Sequence, residues 1–183
     1  MEWIAPERLD NTLMARAARV KLAVFDVDGV LTDGSLHYGP NGEDVKVFNT
    51  LDGHGLKMLK DSGVELAIIS GRSSEALAKR SRDLGITQLF MGVPDKRKVF
   101  EHLLESLSLQ EADVAGIGDD VVDLPFLIRC GFAVCVPSAP RYMREHVHYV
   151  TDAEGGRGAV REFCEIIMHA RGTLAAALAK YLE

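Results

Sequence analysis

Val24-Phe25-Asp26-Val27-Asp28-Gly29-Val30-Leu31-Thr32-Asp33 is the stretch that decides the fold. It overlaps the apolar run at residues 20–25, which is typical of a strand buried on both faces inside a parallel sheet. Two carboxylates, Asp26 and Asp28, stand at the end of that run, where a carboxylate is costly unless a cation or a reaction needs it. Gly29 permits a sharp turn at the carboxyl end of the strand, where open α/β sheets bind their ligands. The stretch therefore predicts a carboxylate site at the edge of a parallel sheet.

The composition is typical of a globular protein with a single domain. The chain has 183 residues, of which 47% are hydrophobic and 26% are charged, so it can bury a full core. A net charge of -6 without a basic block argues against nucleic acid as a partner. The three cysteines lack metal-ligand spacing and indicate small buried side chains in a reducing compartment. Because the start of the chain is not a signal peptide and no apolar run reaches membrane-span length, we expect a cytoplasmic protein without a membrane partner.

Strand-like and helix-like segments alternate along the chain, which predicts an α/β fold with a doubly wound parallel sheet. We expect one domain over residues 1–183, with an N-terminal helix within residues 1–19 and an alanine-rich, helical tail at residues 173–183. Residues 35–48 form two short runs around Asn41-Gly42 and predict a β-hairpin inserted after the first strand. The alternation of Val45 and Val47 gives the hairpin an apolar face, so it is either an ordinary exposed edge or a surface for a partner.

Polar side chains stand where further strands of the predicted sheet end. Ser70 ends the second strand, Asp119 follows the fourth, and Lys96 opens the helix after the third. Because these ends share one edge of a parallel sheet, the side chains are expected to converge with Asp26 and Asp28. Three carboxylates, a hydroxyl and a lysine suit phosphoryl transfer with Mg²⁺, which prefers oxygen ligands. One carboxylate can attack phosphorus, a second can transfer the proton, and the lysine and hydroxyl can stabilise the phosphoryl charge.

Each of these residues also has a simpler interpretation when it is taken alone. Ser70 can be a neighbour of a helix cap, and Lys96 belongs to a charge run at residues 95–98 that is typical of a solvated face. Asp120 and Asp123 can cap or orient the helix that follows them. Asp26 is harder to explain as a cap, because it directly follows an apolar strand.

Together, four segments resemble the motifs of the haloacid dehalogenase superfamily of aspartate-nucleophile phosphatases. They occur in the expected order as residues 26–33, Ser70, Lys96 and residues 118–123. The resemblance implies a Rossmann-like fold of that superfamily's type, with Asp26 as the nucleophile and Asp28 as the general acid and base. It further implies that Ser70 and Lys96 bind the phosphoryl oxygens. Mg²⁺ would be held by the Asp26 carboxylate, the Asp28 backbone carbonyl and Asp119.

Residues 20–172 resemble more closely a branch without a large cap domain, the phosphatases of 3-deoxy-D-manno-octulosonate 8-phosphate in lipopolysaccharide sugar synthesis. The matching segments are residues 28–34, 48–49, 52–55, 70–72 and 155–162. Hairpins in that family join across a homotetramer, which implies that residues 35–48 form an oligomerising hairpin. Besides Asp28 and Lys96, the implied substrate contacts are Asn49, Thr50, Leu51, Asp52, Gly53, Lys57, Arg72 and Arg80. At Leu51 relatives often carry arginine. A sugar-acid phosphate carries a carboxylate beside its phosphate, so extra cations at the site are expected.

The residues thus predict a Mg²⁺-dependent phosphomonoesterase that acts through an aspartyl-phosphate, and the resemblance implies the octulosonate 8-phosphate as its substrate. One alternative is the same chemistry on a sialic-acid-type 9-phosphate, although such relatives tend to have acidic or lysine residues where this chain has Arg72. Another alternative is a non-catalytic, phosphatase-like oligomerisation module, against which the intact motif residues argue. Taken alone, Lys57 and Arg80 can also be ordinary surface residues.

Overall fold

The structure is a computed structural model that describes residues 9–40 and 42–182. Within these residues the strands are β1 Leu22–Phe25, β2 His37–Gly39, β3 Gly42–Val45, β4 Glu65–Ile69, β5 Gln88–Phe90, β6 Val114–Gly118, β7 Phe132–Cys135 and β8 Tyr149–Val150. The α-helices are α1 Asn11–Ala18, α2 Thr50–Asp61, α3 Glu75–Asp83, α4 Lys96–Leu107, α5 Leu124–Leu127, α6 Arg141–Arg144, α7 Ala159–Ala170 and α8 Leu174–Ala179. A 3₁₀ helix, Glu111–Asp113, precedes β6.

Six strands form one parallel sheet with the order β5-β4-β1-β6-β7-β8. The chain winds outward from β1 through β4 to β5 and then crosses back to β6 on the other side of β1. Right-handed crossovers in these two directions place α2 and α3 on one face of the sheet and α4 and α5 on the other. Helices α1, α2 and α8 pack against α7. This is the doubly wound α/β fold that the sequence predicts, with no large cap domain among the described residues.

The core lies on the central strands, whose apolar residues are almost completely buried. Phe163 of α7 stacks on Phe132 of β7 at a ring-centroid distance of 6.1 Å and meets Phe25 of β1 edge-on at 5.5 Å. The α7 helix is therefore fixed to both β1 and β7 by aromatic packing, which adds to the burial of apolar area. Among the described residues, no helix has the length and apolar character needed to cross a membrane.

The hairpin predicted within residues 35–48 is a separate two-stranded sheet between β1 and α2. Its strands β2 and β3 pair antiparallel, and Asn41 of the predicted turn lies outside the described residues. Val45 and Val47 are 51% and 62% exposed, whereas Lys46 between them is only 9% exposed. Because side chains alternate along an extended chain, the valines form an outer apolar face and Lys46 points inward.

Capping side chains set the starts of two helices. Within the N-terminal segment 1–19, residues 1–8 lie outside the described part, and α1 begins after Asp10, whose carboxylate accepts the N–H of Leu13 at 2.8 Å. Likewise, Asn49 accepts the N–H of Leu51 at 2.8 Å, so α2 begins at Thr50. Residues 49–53, which include several of the implied substrate contacts, are thus its cap and first turn. The expected helix in the tail is α8.

Candidate active site

Asp26 and Asp28 follow β1 at the carboxyl edge of the sheet. The N–H of Asp26 donates to the carbonyl of Ile117 in β6 at 3.1 Å, so its backbone continues the sheet pairing. Gly29 then turns the chain with a φ of +93°, and a Cβ atom there would lie 2.1 Å from a carboxylate oxygen of Asp119. The backbone conformation and this close approach both require glycine. The turn therefore brings the first motif against the fourth.

Three carboxylates meet at this edge of the sheet. Asp26, Asp119 and Asp123 each offer an oxygen, and these oxygens lie within 4.8 Å of one another. Burial, together with the charge of Asp123, raises the pKa of Asp26 to about 8 and that of Asp119 to about 7. A cation relieves such repulsion, and a set of carboxylate oxygens is the donor chemistry that Mg²⁺ prefers. The residues present therefore fit the predicted Mg²⁺. Two of its predicted ligands, Asp26 and Asp119, contribute side chains to the cluster.

Lys96 is buried against the same cluster, with only 5% of the residue exposed. Its ammonium group forms ion pairs with Asp26 and, at 2.5 Å, with Asp123. Burial opposes the lysine charge, but the two carboxylates outweigh it and raise the pKa of Lys96. The charge run at residues 95–98 is thus not uniformly solvated, since its second member points into the site. Asp95 accepts the N–H of Arg97 at 3.1 Å and so caps α4, which aims Lys96 inward from the first turn of the helix.

Asp123 holds this arrangement together and is completely buried. While one of its oxygens pairs with Lys96, the other accepts the backbone N–H groups of Asp119 at 3.0 Å and Asp120 at 3.4 Å. Asp123 therefore orients the backbone that precedes it, and it makes no side-chain cap hydrogen bond to the helix that follows, contrary to the interpretation from the sequence. Its ion pair with Lys96 was not predicted, because no local pattern links residues that lie 27 positions apart.

Ser70 directly follows β4 and is 1% exposed. Its N–H donates to the carbonyl of Phe90 at 2.9 Å, and its hydroxyl oxygen accepts the N–H of Arg72 at 3.2 Å. Because β4 pairs with β1 in parallel register, Ser70 lies at the same sheet edge as Asp26. The hydroxyl is thus in the position that the sequence predicts for it.

The second carboxylate of the first motif, Asp28, lies between two cations. Lys46 forms an ion pair with one of its oxygens, and Nε of Arg72 lies 3.8 Å from the other. A guanidinium nitrogen of Arg72 also donates to the Tyr38 hydroxyl at 2.6 Å. Arg72 was predicted to be a site residue from the sequence, whereas Lys46 was not.

The other predicted substrate contacts lie around the start of α2. Arg80 donates to the carbonyl of Asn49 at 3.3 Å and lies so close to Gly53 that a Cβ there would be 2.0 Å from its guanidinium. Thr50 and Leu51 are exposed. The cap and first turn of α2 therefore form one group, which contains Asn49, Thr50, Leu51 and Gly53. Arg80 supports this group.

Asp52 and Lys57 differ from that group. Asp52 is 1% exposed, and its carboxylate accepts the N–H groups of Arg161 at 2.8 Å and Gly158 at 3.3 Å at the start of α7. These bonds make it a cap for α7, supplied from α2. Lys57 is exposed further along α2, and no contact between described side chains ties it to the carboxylate cluster.

The glycine-rich loop at residues 155–158 packs directly on the first motif. Gly156 donates its N–H to the carbonyl of Val30 at 2.8 Å and accepts the Asn49 side-chain amide at 3.2 Å. A Cβ at Gly155 would lie 1.8 Å from the carbonyl oxygen of Gly29. The loop is therefore more than an entry to α7, because it braces the turn that carries Asp28.

Comparison with known proteins agrees with this site. Residues 42–131 match the family described as haloacid dehalogenase-like hydrolases. The 3-deoxy-D-manno-octulosonate 8-phosphate phosphatase of Yersinia pestis is 42% identical over 164 residues, which cover 90% of this chain and 88% of that protein.

Solved structures of similar proteins contain metal ions. The Moraxella catarrhalis phosphatase of the same name, in complex with a magnesium ion, a phosphate ion and a KDO molecule, superposes with a TM-score of 0.92 at 39% identity and covers 94% of this chain and 99% of its own. The cobalt-bound deoxy-D-mannose-octulosonate 8-phosphate phosphatase of Haemophilus influenzae gives 0.86 at 39% identity, covering 92% and 99%. The chain therefore belongs to the haloacid dehalogenase-like hydrolases, in the family of the 3-deoxy-D-manno-octulosonate 8-phosphate phosphatases.

Proposed function

We propose that this chain hydrolyses 3-deoxy-D-manno-octulosonate 8-phosphate to the free sugar acid and phosphate, as a step of lipopolysaccharide sugar synthesis. The observation that carries the proposal is the buried cluster of Asp26, Lys96 and Asp123 beside Asp119, which combines a nucleophile, a charge-stabilising lysine and metal ligands at one sheet edge. Relatives that carry the name of this activity match the chain over nearly its whole length. A non-catalytic module has no use for such a costly set of buried charges.

In the mechanism that we propose, a carboxylate oxygen of Asp26 attacks phosphorus, and the bond from phosphorus to the sugar oxygen breaks. Asp28 donates a proton to the departing oxygen, which leaves as the alcohol. In the second half, Asp28 takes a proton from water as the water oxygen attacks the aspartyl-phosphate, and phosphate is released. Lys96 and Ser70 stabilise the negative charge on the phosphoryl oxygens during both transfers.

The Asp26 and Asp119 carboxylates and the Asp28 backbone carbonyl would hold Mg²⁺, which would supply positive charge to stabilise the phosphoryl oxygens. Asp123 does not transfer a proton in this scheme. It holds Lys96 with one oxygen and the backbone of Asp119 with the other, so that both side chains face the Asp26 carboxylate.

The carboxylate of the sugar acid needs cations apart from those that bind phosphate. Arg72 and Arg80 are partly exposed beside the site, and Arg72 reaches Asp28 while Arg80 lies under the first turn of α2. Planar guanidinium groups suit a carboxylate because they can donate two parallel hydrogen bonds. These residues, with the exposed Thr50 and Leu51, are the set that we propose for substrate selection.

The assembly that we propose is a homotetramer joined through the hairpin. The hairpin segment exposes four large apolar side chains, Leu36, Tyr38, Val45 and Val47. A two-stranded hairpin with such a face is only marginally stable without a partner. A cytoplasmic location is also part of the proposal, and the three buried, unpaired cysteines support it because thiols stay reduced there.

The experiment that tests the function measures phosphate release from the octulosonate 8-phosphate, a sialic-acid 9-phosphate and plain sugar phosphates, each with Mg²⁺ and with EDTA. We expect a strong, metal-dependent preference for the octulosonate ester and no turnover by Asp26→Asn. Equal rates on all esters would leave the phosphatase chemistry and refute the substrate. If no ester is hydrolysed, the proposed function is wrong and the non-catalytic alternative takes its place.

A further inference from the structure

Lys46 is a buried cation that belongs neither to the four phosphatase motifs nor to the substrate contacts implied by the family resemblance. Its side chain is 2% exposed, and its ammonium group pairs with Asp28, whose side chain is 23% exposed. Buried lysines occur in proteins almost only when they are paired, because an isolated ammonium group is costly to desolvate. The Lys46–Asp28 pair is therefore a fixed contact that constrains where the Asp28 carboxylate lies.

The hairpin holds Asp28 from both of its strands. Lys46 directly follows β3 and reaches Asp28 itself, whereas Tyr38 of β2 acts through Arg72. The Tyr38 hydroxyl accepts a hydrogen bond from Arg72 at 2.6 Å, and the guanidinium carbon lies 5.7 Å from the centre of the Tyr38 ring. Arg72 in turn lies 3.8 Å from the second oxygen of Asp28. Both oxygens of one carboxylate thus face cations that the hairpin places.

We propose that Lys46 is a positioning residue, which fixes the Asp28 carboxylate in the orientation that proton transfer to the leaving oxygen requires. A proton is transferred efficiently only when donor and acceptor lie within hydrogen-bonding reach, so a carboxylate that can rotate away loses rate. Lys46 acts through Asp28 and does not touch the reacting atoms. The hairpin is therefore part of the catalytic apparatus of its own chain. This inference rests on the proposed phosphatase function.

The test compares Lys46→Met with wild type on two kinds of ester in the presence of Mg²⁺. With the octulosonate 8-phosphate or another alkyl phosphate, we expect kcat to fall roughly 10- to 100-fold, with little change in KM, since positioned acid catalysis contributes on that order or more. With p-nitrophenyl phosphate the loss should be much smaller, because that leaving group departs without a proton. Lys46→Arg keeps a cation and should recover part of the rate.

A double-mutant cycle makes the test specific to Asp28. In an Asp28→Asn background, Lys46→Met should cause no further loss, because two residues that act as a unit are not additive. Tyr38→Phe removes only the hydroxyl that Arg72 uses, on an exposed residue, and should give a smaller loss with the same dependence on the leaving group. Lys21→Met is the matched control, since Lys21 pairs with Asp113 at 3.3 Å at the opposite end of β1.

The remaining outcomes count against the inference in different ways. A Lys46→Met variant with wild-type rates, equal losses on both esters or a further loss in the Asp28→Asn background shows that Lys46 does not act through Asp28. A rise in KM alone makes Lys46 a substrate contact. If Lys46→Met does not fold, as judged by thermal melting, the Tyr38→Phe result decides.

A wild-type chain that cleaves other alkyl phosphates and not the octulosonate ester refutes only the proposed substrate, whereas a chain inert on every ester refutes function and inference together.

Discussion

Asp119 is a residue at which function and stability oppose each other. Its pKa is raised to about 7, first by burial and then by the charges of Asp123 and Asp120. Ionised Asp119 therefore destabilises the metal-free fold and becomes favourable only when a cation lies beside it. Such a trade-off is common where an active site needs like charges close together.

We expect Asp119→Asn to raise the melting temperature of the metal-free protein at about pH 8 and to abolish its stabilisation by Mg²⁺. The physical reason is that the amide removes one of three mutually repelling carboxylates and one of the proposed metal ligands. Differential scanning fluorimetry with EDTA and with Mg²⁺ measures both effects. Asp120→Asn is the control, because Asp120 is an exposed neighbour whose carboxylate accepts the N–H of Val121 at 2.7 Å. Equal changes in melting temperature for the two variants, both with EDTA and with Mg²⁺, would contradict the role of Asp119.

The pH dependence of metal stabilisation follows from the same residues. An acid whose pKa rises on folding stabilises the folded state below its unfolded pKa, here 3.8, and this stability is lost as the pH rises through the folded pKa. For Asp119 this stability is lost as the pH rises through a folded pKa of about 7, and for Asp26 as it rises through a folded pKa of about 8. Mg²⁺ binds the ionised carboxylates, so it competes with protons for them.

The melting-temperature increase caused by Mg²⁺ should therefore grow between about pH 6 and about pH 9, and Mg²⁺ binding should release protons. Calorimetric titrations in two buffers of different ionisation enthalpy count these protons directly. If the melting-temperature increase caused by Mg²⁺ were constant over this range, Asp26 and Asp119 would already be ionised at about pH 6.

At the scale of elements, the strands and their ends could be predicted because their signals are local. The apolar run before Asp26 and the carboxylates that follow it are contiguous in sequence, and the parallel-sheet rule brings Ser70, Lys96 and Asp119 to the same edge. The start of α2 at Thr50 is harder to predict, because the capping role of Asn49 competes with the appearance of a glycine-containing turn. Local patterns are thus sufficient for strands and less so for helix starts.

The functional residues that were missed depend on contacts between distant segments. Lys46 stands between two valines, and the alternating pattern predicts an apolar face of the hairpin, which the structure has on its outer side. The pattern does not show that the opposite side, which carries Lys46, meets Asp28. The sequence around Lys46 does not indicate its contact with Asp28, which lies 18 positions earlier.

The contact between α2 and α7 is a second arrangement that joins distant segments. Replacing Asp52 with alanine removes the acceptor of two backbone N–H groups at the buried start of α7, so we expect a loss of roughly 1–3 kcal/mol in the free energy of unfolding. Urea denaturation measures the loss. Asp61→Asn, at the exposed end of the same helix, should change stability very little. Comparable effects of the two variants would refute the capping role of Asp52.

At the scale of the whole molecule, the hairpin would connect catalysis with the proposed assembly. Its inner face carries Lys46 to Asp28, and its outer face exposes Val45 and Val47. If neighbouring chains cover the outer face, they also stabilise the hairpin that holds Lys46, because isolated two-stranded hairpins are marginal in water. Assembly and proton transfer would then depend on one element.

We therefore expect Val45→Glu to convert the proposed tetramer into monomers and to lower kcat on alkyl phosphates more than on p-nitrophenyl phosphate. A charge on the outer face is costly to bury between chains, and the hairpin of the monomer no longer keeps Lys46 in place. Sedimentation velocity reports the assembly, and the two esters report the leaving-group dependence. Ile128→Glu is the control, because Ile128 is equally an exposed apolar residue, at 54%, but lies outside the hairpin. A wild-type monomer would remove the tetramer from the proposal, and a Val45→Glu monomer with full activity would show that each chain holds Lys46 without its neighbours.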